Sequence, residues 1–370
     1  MVQIPLVDLK AQYEIYKEEI DEAVSKVISN TAFVGGPFVK SFEENFATFC
    51  GTKFAIGVAN GTCALFLALI ALDIEPGDEI IVPTNTFIAT AEAVTAVGAK
   101  PVFVDVEPLT YNIDPDEIKK SITKKSRAII PVHLYGQPAD MESIQEIADT
   151  HHLEVIEDAA QAHEAQYGNK RVGGFGRLAC FSFYPGKNLG AYGDAGAVVT
   201  NDERLFRKIA MLRDHGRKTK YYYEMPGFNM RMDGIQGAIL DVKLRHLPKW
   251  NKARQNIAAR YSALLENTPE IKTPQIARDR THVFHLYVVE TDKRDELKQH
   301  LNGQGIGSGI HYPVPLHLQP AYQHFNYREG DMPVSEKASQ RILSLPIYPE
   351  LSEENITRVV NAIKNFYNKD

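Results

Sequence analysis

Three groups of residues in this chain have the types and spacing to do chemistry together. Lys187 stands in a loop between an apolar run ending Phe181-Ser182-Phe183 and a second apolar run, Gly196–Thr200, with Gly186, Gly190, Gly193 and Gly196 spaced through the turn. A lysine on a tight glycine-bearing loop at the end of a buried strand is poorly placed as a solvated charge and well placed to meet a ligand. Asp158 ends the run Glu154–Glu157, and Gly61-Thr62 lies between a strand-like run and a helical one, where first-turn N–H groups receive a phosphate. Each has an ordinary explanation by itself: Gly61-Thr62 as a plain helix start, Asp158 as a helix cap, Lys187 as a solvated residue. Together, an amine, a buried carboxylate and a phosphate cradle match what pyridoxal phosphate needs. The lysine forms the Schiff base, the carboxylate keeps the pyridine nitrogen protonated so the ring takes up carbanion charge, and the helix start binds the phosphate.

The elements that must position these groups follow from the apolar periodicity. Asp8 to Asn30 reads as a short entry and a helix, with Ile15, Ile20, Val24, Val27 and Ile28 at helical spacing; Gly35-Gly36-Pro37 breaks it before a second helical pattern, Phe38–Phe49. Strand-like runs at Phe54–Ala59, Glu79–Pro83, Val102–Asp105, Ala128–Val132, Glu154–Glu157, Phe175–Phe183 and Gly196–Thr200 alternate with helical stretches at Cys63–Leu72, Thr86–Val97, Asp114–Ser121, Asp140–His151 and Asp202–Leu212. That cadence predicts a mostly parallel sheet covered by helices on both faces, with ligands at the carboxyl ends of the strands. A long helical pattern from about Gly234 to Glu266, with Pro248 a kink or break, leads to a second lobe. There Val283–Val289 and Ile306–His311 read as strands, and Arg294–Leu301 and Glu353–Phe366 as helices. The expected division is a large cofactor-binding domain over 1–245 and a small C-terminal domain over 246–370.

Composition narrows the function classes. The 370 residues are 24% charged with net charge −6, and no dense Lys/Arg block appears, so nucleic acid is not an expected partner. The basic residues within Arg204–Arg217 recur as on one solvated helix face. Met1–Lys10 lacks the pattern of a secretory or transit peptide, and the longest apolar runs, such as Cys63–Leu72, are too short to span a bilayer; a cytoplasmic protein without a membrane partner is expected. Cys50, Cys63 and Cys180 are far apart and read as small buried apolar residues. His151, His152 and His317 read as surface or structural, and no metal is expected.

Six ordered motifs carry a family resemblance: Asn60–Leu65 (NGTCAL), Pro83–Thr90 (PTNTFIAT), Glu157–His163 (EDAAQAH), Phe181–Gly190 (FSFYPGKNLG), Gly227–Asp233 (GFNMRMD) and His311–Pro313 (HYP). From Pro5 to the last helix the chain resembles the DegT/DnrJ/EryC1/StrS family of pyridoxal-phosphate sugar aminotransferases. The resemblance implies an α/β, fold-type I, aspartate-aminotransferase-like architecture. It makes Lys187 the Schiff-base lysine and proton shuttle, pairs Asp158 with the pyridine nitrogen, sets Gln161 on the ring hydroxyl and stacks Phe87 on the ring. Gly61, Thr62 and Ser182 would hold the phosphate from one subunit and Asn229 from its neighbour, which makes a homodimer part of the mechanism. Tyr184, His311 and Tyr312 would face the nucleotide-linked keto sugar, with Lys220 and Tyr222 arriving from the other subunit; each of these five also has an ordinary packing explanation.

Lys187 stands where the family's sugar dehydratase branch has a histidine, which favours transamination. The Phe181–Gly190 stretch followed by Asp194-Ala195-Gly196 resembles the branch that aminates C3 of the sugar. The expected reaction moves an amino group from L-glutamate to C3 of a dTDP-3-keto-6-deoxyhexose, giving a dTDP-3-amino-3,6-dideoxyhexose and 2-oxoglutarate. A UDP-linked 3-keto sugar acid, with Arg231 or another basic residue near the sugar, is an alternative substrate; a pyridoxamine-dependent dehydratase and a non-catalytic cofactor-binding regulator are further ones. Glu164, after His163, departs from the commoner His-Gly and reads either as a ligand-facing residue or as a surface change.

Overall fold

A computed structural model describes residues 3–368; residues 1–2 and 369–370, the extreme ends of the expected lobes and of the Met1–Lys10 segment, lie outside the described residues. Two helices, α1 (Leu9–Ser29) and α2 (Gly36–Cys50), lead into alternating strands and helices. These are β1 (Phe54–Val58), α3 (Gly61–Ala71), β2 (Glu79–Pro83), α4 (Ala89–Ala96), β3 (Lys100–Val104), α5 (Pro115–Ser121), β4 (Ser126–Ile129), α6 (Met141–His151) and β5 (Glu154–Asp158). A short hairpin of β6 (Gln166–Tyr167) and β7 (Lys170–Arg171) precedes β8 (Leu178–Ser182), β9 (Gly196–Thr200) and α7 (Glu203–Leu212). The seven-stranded sheet has the order β1-β9-β8-β5-β4-β2-β3; β9 runs antiparallel to both its neighbours and the remaining pairs are parallel.

Side-chain alternation explains why the strands read as unbroken apolar runs. Leu178 and Cys180 of β8 and Val198 of β9 enter one core with α3, whereas Ala179, Phe181, Ala197 and Val199 enter the other with α1, α2 and the later residues Ile239 and Leu240. Both faces are thus dry. On the second face Phe46 meets Phe181 and Phe183 edge-on at 5.0 and 5.2 Å, and Phe42 meets Phe183 at 5.3 Å, so the strand that feeds the Lys187 loop is clamped by α2.

A second hairpin, β10 (Arg217–Thr219) and β11 (Tyr222–Tyr223), projects before α8 (Gly234–Leu265). The helix runs through Pro248 without a break. Its first half packs on α1 and α2 and its second half joins a separate core with α9 (Arg294–Gly303), β12 (Tyr287–Glu290), β13 (Ile342–Leu345), which follows α10 (Pro333–Arg341), and α11 (Glu353–Tyr367).

The small lobe departs from the sequence expectations in identifiable ways. Of Val283–Val289 only Tyr287 onward is strand, because Val283 N donates to Gly136 O (2.9 Å) and Leu286 N to Tyr135 O (3.3 Å) of the large lobe instead. Ile306–His311 forms only single bridges, Ile4 with Ile306 and Gly309 with Ser344. The partner of β12 is Ile342–Leu345, a short run hidden behind the polar helix α10. The Arg204–Arg217 stretch is not one solvated face either: Arg213 turns inward to Glu43 and to the carbonyl of Gly57.

Candidate active site

The carboxyl ends of β5 and β8 and the start of α3 open on one cavity of about 690 Å³. At its floor Asp158 is 5% exposed and ends β5. Its Oδ2 accepts from Thr90 Oγ1 at 2.8 Å and its Oδ1 from the Ala160 amide at 3.2 Å. Burial pushes its carboxyl above the ordinary aspartate value, against the opposing pull of Thr90, Ala160, Lys187 and His133. A carboxylate so enclosed calls for a cationic partner in the cavity.

Lys187 lies in the turn after β8, where its amide donates to Tyr184 O at 2.8 Å. Among the described residues its Nζ has neither a hydrogen bond nor a salt bridge. Burial draws the amine down to about 8, with Asp158 pulling the other way. An amine that is partly neutral at physiological pH is a competent nucleophile and proton carrier.

The helix start is built by contact. Asn60 caps α3 by accepting from Cys63 N at 2.8 Å, leaving the first-turn amides of Gly61 and Thr62 outside the helical ladder. A Cβ on Gly61 would sit 2.7 Å from Ser182 Cβ, so only glycine lets α3 press on the end of β8. Ser182 thereby joins Gly61 and Thr62 on the cavity wall.

Gln161 is oriented by its neighbours: Oε1 accepts from the Tyr135 amide at 2.7 Å, which turns Nε2 toward Tyr312 Oη at 3.2 Å. Phe87 is 54% exposed and its ring centre lies 5.9 Å from that of Tyr312. Tyr184 is exposed at the rim. His311 is held neutral, drawn down to about 4 by burial and by Lys187, with Nδ1 on Ser344 Oγ at 2.8 Å. A free amine, a buried carboxylate, unused helix-start amides beside a serine, an amide donor and an exposed ring in one cavity fit pyridoxal phosphate group by group.

The cavity thus brings together Gly61, Thr62, Phe87, Asp158, Gln161, Ser182, Tyr184, Lys187, His311 and Tyr312. Asn229, Lys220 and Tyr222 do not line it. Asn229 bridges Asp214, and Lys220 and Tyr222 are exposed at the β10–β11 hairpin beside Tyr221 and Tyr223.

Arg231 does not line this cavity; it pairs with Asp214 at 2.8 Å and lines a separate cleft with Arg213 and Arg217. Glu164 is neither ligand-facing nor a surface change: its carboxylate accepts from Asn251 Nδ2 at 2.8 Å and lies 3.5 Å from Arg171. His317 is buried between Thr84 and Glu336, and no cluster of His, Cys, Asp and Glu suited to a metal occurs among the described residues. Sequence reasoning missed Thr90 as the partner of Asp158, although it closes a quoted motif, and it missed Arg254 and His285, which line the same cavity.

The fold and site define a fold-type I transferase of the pyridoxal-phosphate-dependent class. The chain belongs to the DegT/DnrJ/EryC1/StrS aminotransferase family, whose profile matches residues 14–364. It is 48% identical over 368 residues to the pleiotropic regulatory protein of Geobacillus stearothermophilus, covering 99% of each. It is 46% identical over 364 residues to the dTDP-3-amino-3,4,6-trideoxy-alpha-D-glucose transaminase of Streptomyces venezuelae, covering 98% of this chain and 96% of that one. The crystal structure of S. venezuelae DesV in complex with a ketimine intermediate matches with a TM-score of 0.97 at 46% identity, covering 99% of each chain.

Proposed function

We propose that this chain transfers an amino group from L-glutamate to C3 of a dTDP-3-keto-6-deoxyhexose, releasing 2-oxoglutarate and a dTDP-3-amino-3,6-dideoxyhexose. The observation that carries the reading is the partnerless amine of Lys187, held at about 8 over the buried carboxylate of Asp158, in a chain closely related to a dTDP-sugar transaminase. Pyridoxal phosphate, when bound, supplies the electron sink for the pair left on the donor carbon.

The chain's own residues do the rest. The Gly61 and Thr62 amides and Ser182 Oγ would receive the phosphate, and Asp158 would keep a proton on the ring nitrogen. Gln161 Nε2 would donate to the ring hydroxyl, and Phe87 would cover one ring face. Lys187 would hold the cofactor covalently, and its Nζ, drawn down to about 8 by burial, would serve as the base that carries the proton released at the donor carbon. Tyr184, His311 and Tyr312 face the sugar nucleotide.

The reading includes a homodimer in which Asn229, Lys220 and Tyr222 complete the neighbour's site. The exposed run Tyr221, Tyr222 and Tyr223 supports this, since three adjacent solvated aromatics are suited to burial against a second copy. It also includes the division into a large domain over 1–245 and a small one over 246–370, and a cytoplasmic location. No helix among the described residues is long and apolar enough to cross a membrane.

A regulator that binds cofactor without turnover is the second reading, favoured by the name of the Geobacillus relative. Incubation of the cofactor-loaded protein with glutamate separates the two: release of 2-oxoglutarate with a change of the visible spectrum supports transamination, and spectral silence supports the regulator.

A further inference from the structure

The cavity has a wall that none of the roles above uses. Leu6, Val7, Leu286 and Ile347 surround two polar side chains there, Arg254 and His285. Arg254 comes from α8 and is 4% exposed. Its Nη1 donates to the carbonyls of Ile347 at 2.9 Å and Phe284 at 3.1 Å, and reaches that of His285 at 3.5 Å. Its Nε is enclosed without a partner, and among the described residues no acceptor bonds Nη2.

Among the described residues no carboxylate lies within ion-pair distance of this guanidinium. Glu350 acts on it only from farther off; burial raises the Glu350 carboxyl, and its Oε2 is itself enclosed and unpartnered. Burial draws Arg254 down to about 10. A guanidinium taken out of water with its Nε–Nη2 edge idle is unfavourable until an anion completes it, and that edge presents two parallel donors matched to the two oxygens of a carboxylate. His285 adds a second idle group, an enclosed Nδ1 on an imidazole held neutral by burial and by Lys187, Arg254, His311 and His163.

We propose that Arg254 binds a carboxylate of the amino donor and so seats the amino acid against Lys187. This rests on the transaminase reading and names the donor subsite of the same cavity. The remaining walls of this region are apolar, so the carboxylate is the feature recognised. A carboxylate could also come from a sugar acid, and the test below separates the two sources.

Wild-type holoprotein, Arg254→Gln and Arg254→Lys are titrated calorimetrically with glutarate, a dicarboxylate without an amine. The glutamate half-reaction is followed in the visible spectrum, and the pyridoxamine-loaded protein is reacted with a neutral dTDP-keto sugar and with a UDP-linked keto sugar acid. Arg254→Gln is expected to weaken glutarate and glutamate by about 10- to 100-fold, the scale of a lost charge-assisted pair. The neutral sugar half-reaction should keep its wild-type rate, and Arg254→Lys should fall between, since an ammonium cannot fork. Unchanged glutarate affinity, equal losses in both half-reactions, or a loss confined to the sugar acid would each overturn the proposal. If Arg254→Gln does not fold, Arg254→Lys carries the same comparison. Failure of the wild type to take up cofactor would count against the transaminase reading instead, and glutarate titration still decides on Arg254.

Discussion

Thr90 Oγ1 donates to Asp158 Oδ2 across 2.8 Å, tying the first turn of α4 to the last residue of β5 beneath the cavity. The bond fixes the carboxylate that the proposed reaction pairs with the cofactor's ring nitrogen. Thr90 is fully buried, so its hydroxyl has no competing water. Thr90→Val keeps the shape and removes the donor. The expected result is a loss of about 1–3 kcal/mol in stability, together with weaker cofactor retention, read by thermal melts and by dialysis of the loaded protein. Unchanged retention would show that Asp158 is held without Thr90.

Asp158→Asn removes the charge and leaves the packing. Turnover is expected to drop by about 10²–10³-fold, the scale of one preorganised electrostatic group, while the protein still folds. Steady-state rates with glutamate and the sugar nucleotide check this, and near-wild-type turnover would take Asp158 out of the chemistry.

Gly61→Ala drives a Cβ to 2.7 Å from Ser182 Cβ and 3.2 Å from Ser182 Cα. The start of α3 must shift away from β8, at about 1–3 kcal/mol, and the phosphate cradle opens with it. A titration with pyridoxal phosphate should show weakened binding, larger than any change in glutamate affinity of the loaded fraction.

Lys243 of α8 is 1% exposed, with Nζ over Tyr192 at 5.0 Å and over Trp250 at 5.8 Å, and burial draws it down to about 7. Between about pH 7 and 10.5 the unfolded chain binds more protons at this site than the folded one, so its contribution to stability rises with pH across that window. Below about pH 7 both states carry the charge and the full penalty stands. Lys243→Met is therefore expected to raise the melting temperature most at and below neutral pH, and the gain should vanish toward pH 10.5. A gain independent of pH would assign the effect to packing.

The proposed sharing of active sites between two subunits predicts complementation. Lys187→Ala and Asn229→Ala should each be inactive or nearly so alone. Mixed and allowed to exchange subunits, they should recover about a quarter of wild-type activity, because half the dimers are then mixed and each has one intact site of two. No recovery, with exchange verified by mass, would place Asn229 outside the neighbour's site.

The parts of this site that were legible in the sequence are local. Gly61-Thr62, Asp158 and the Lys187 loop each sit where a strand run ends, and the parallel-sheet pattern alone puts strand ends on one edge. Thr90, Arg254 and His285 escaped because their partners are distant in sequence: Arg254 meets Phe284 and Ile347, and nothing in the long polar pattern of α8 marks one arginine as buried. The second strand of the small lobe, Ile342–Leu345, escaped for a related reason. It follows a helix, Pro333–Arg341, whose buried residues Ser335, Ala338 and Ser339 leave no apolar stripe to read. Glu164 shows the converse, since a departure at one position proved to be absorbed by Asn251 and Arg171 rather than by a ligand.

The most direct test of the central claim joins both substrates on the purified protein. Wild type loaded with pyridoxal phosphate, given L-glutamate and a dTDP-3-keto-6-deoxyhexose, should release 2-oxoglutarate in step with a sugar whose new amine NMR places on C3, and Lys187→Ala should give neither product. Glutamate left unconsumed, an amine on C4, or a sugar that loses a hydroxyl without gaining nitrogen would contradict the account.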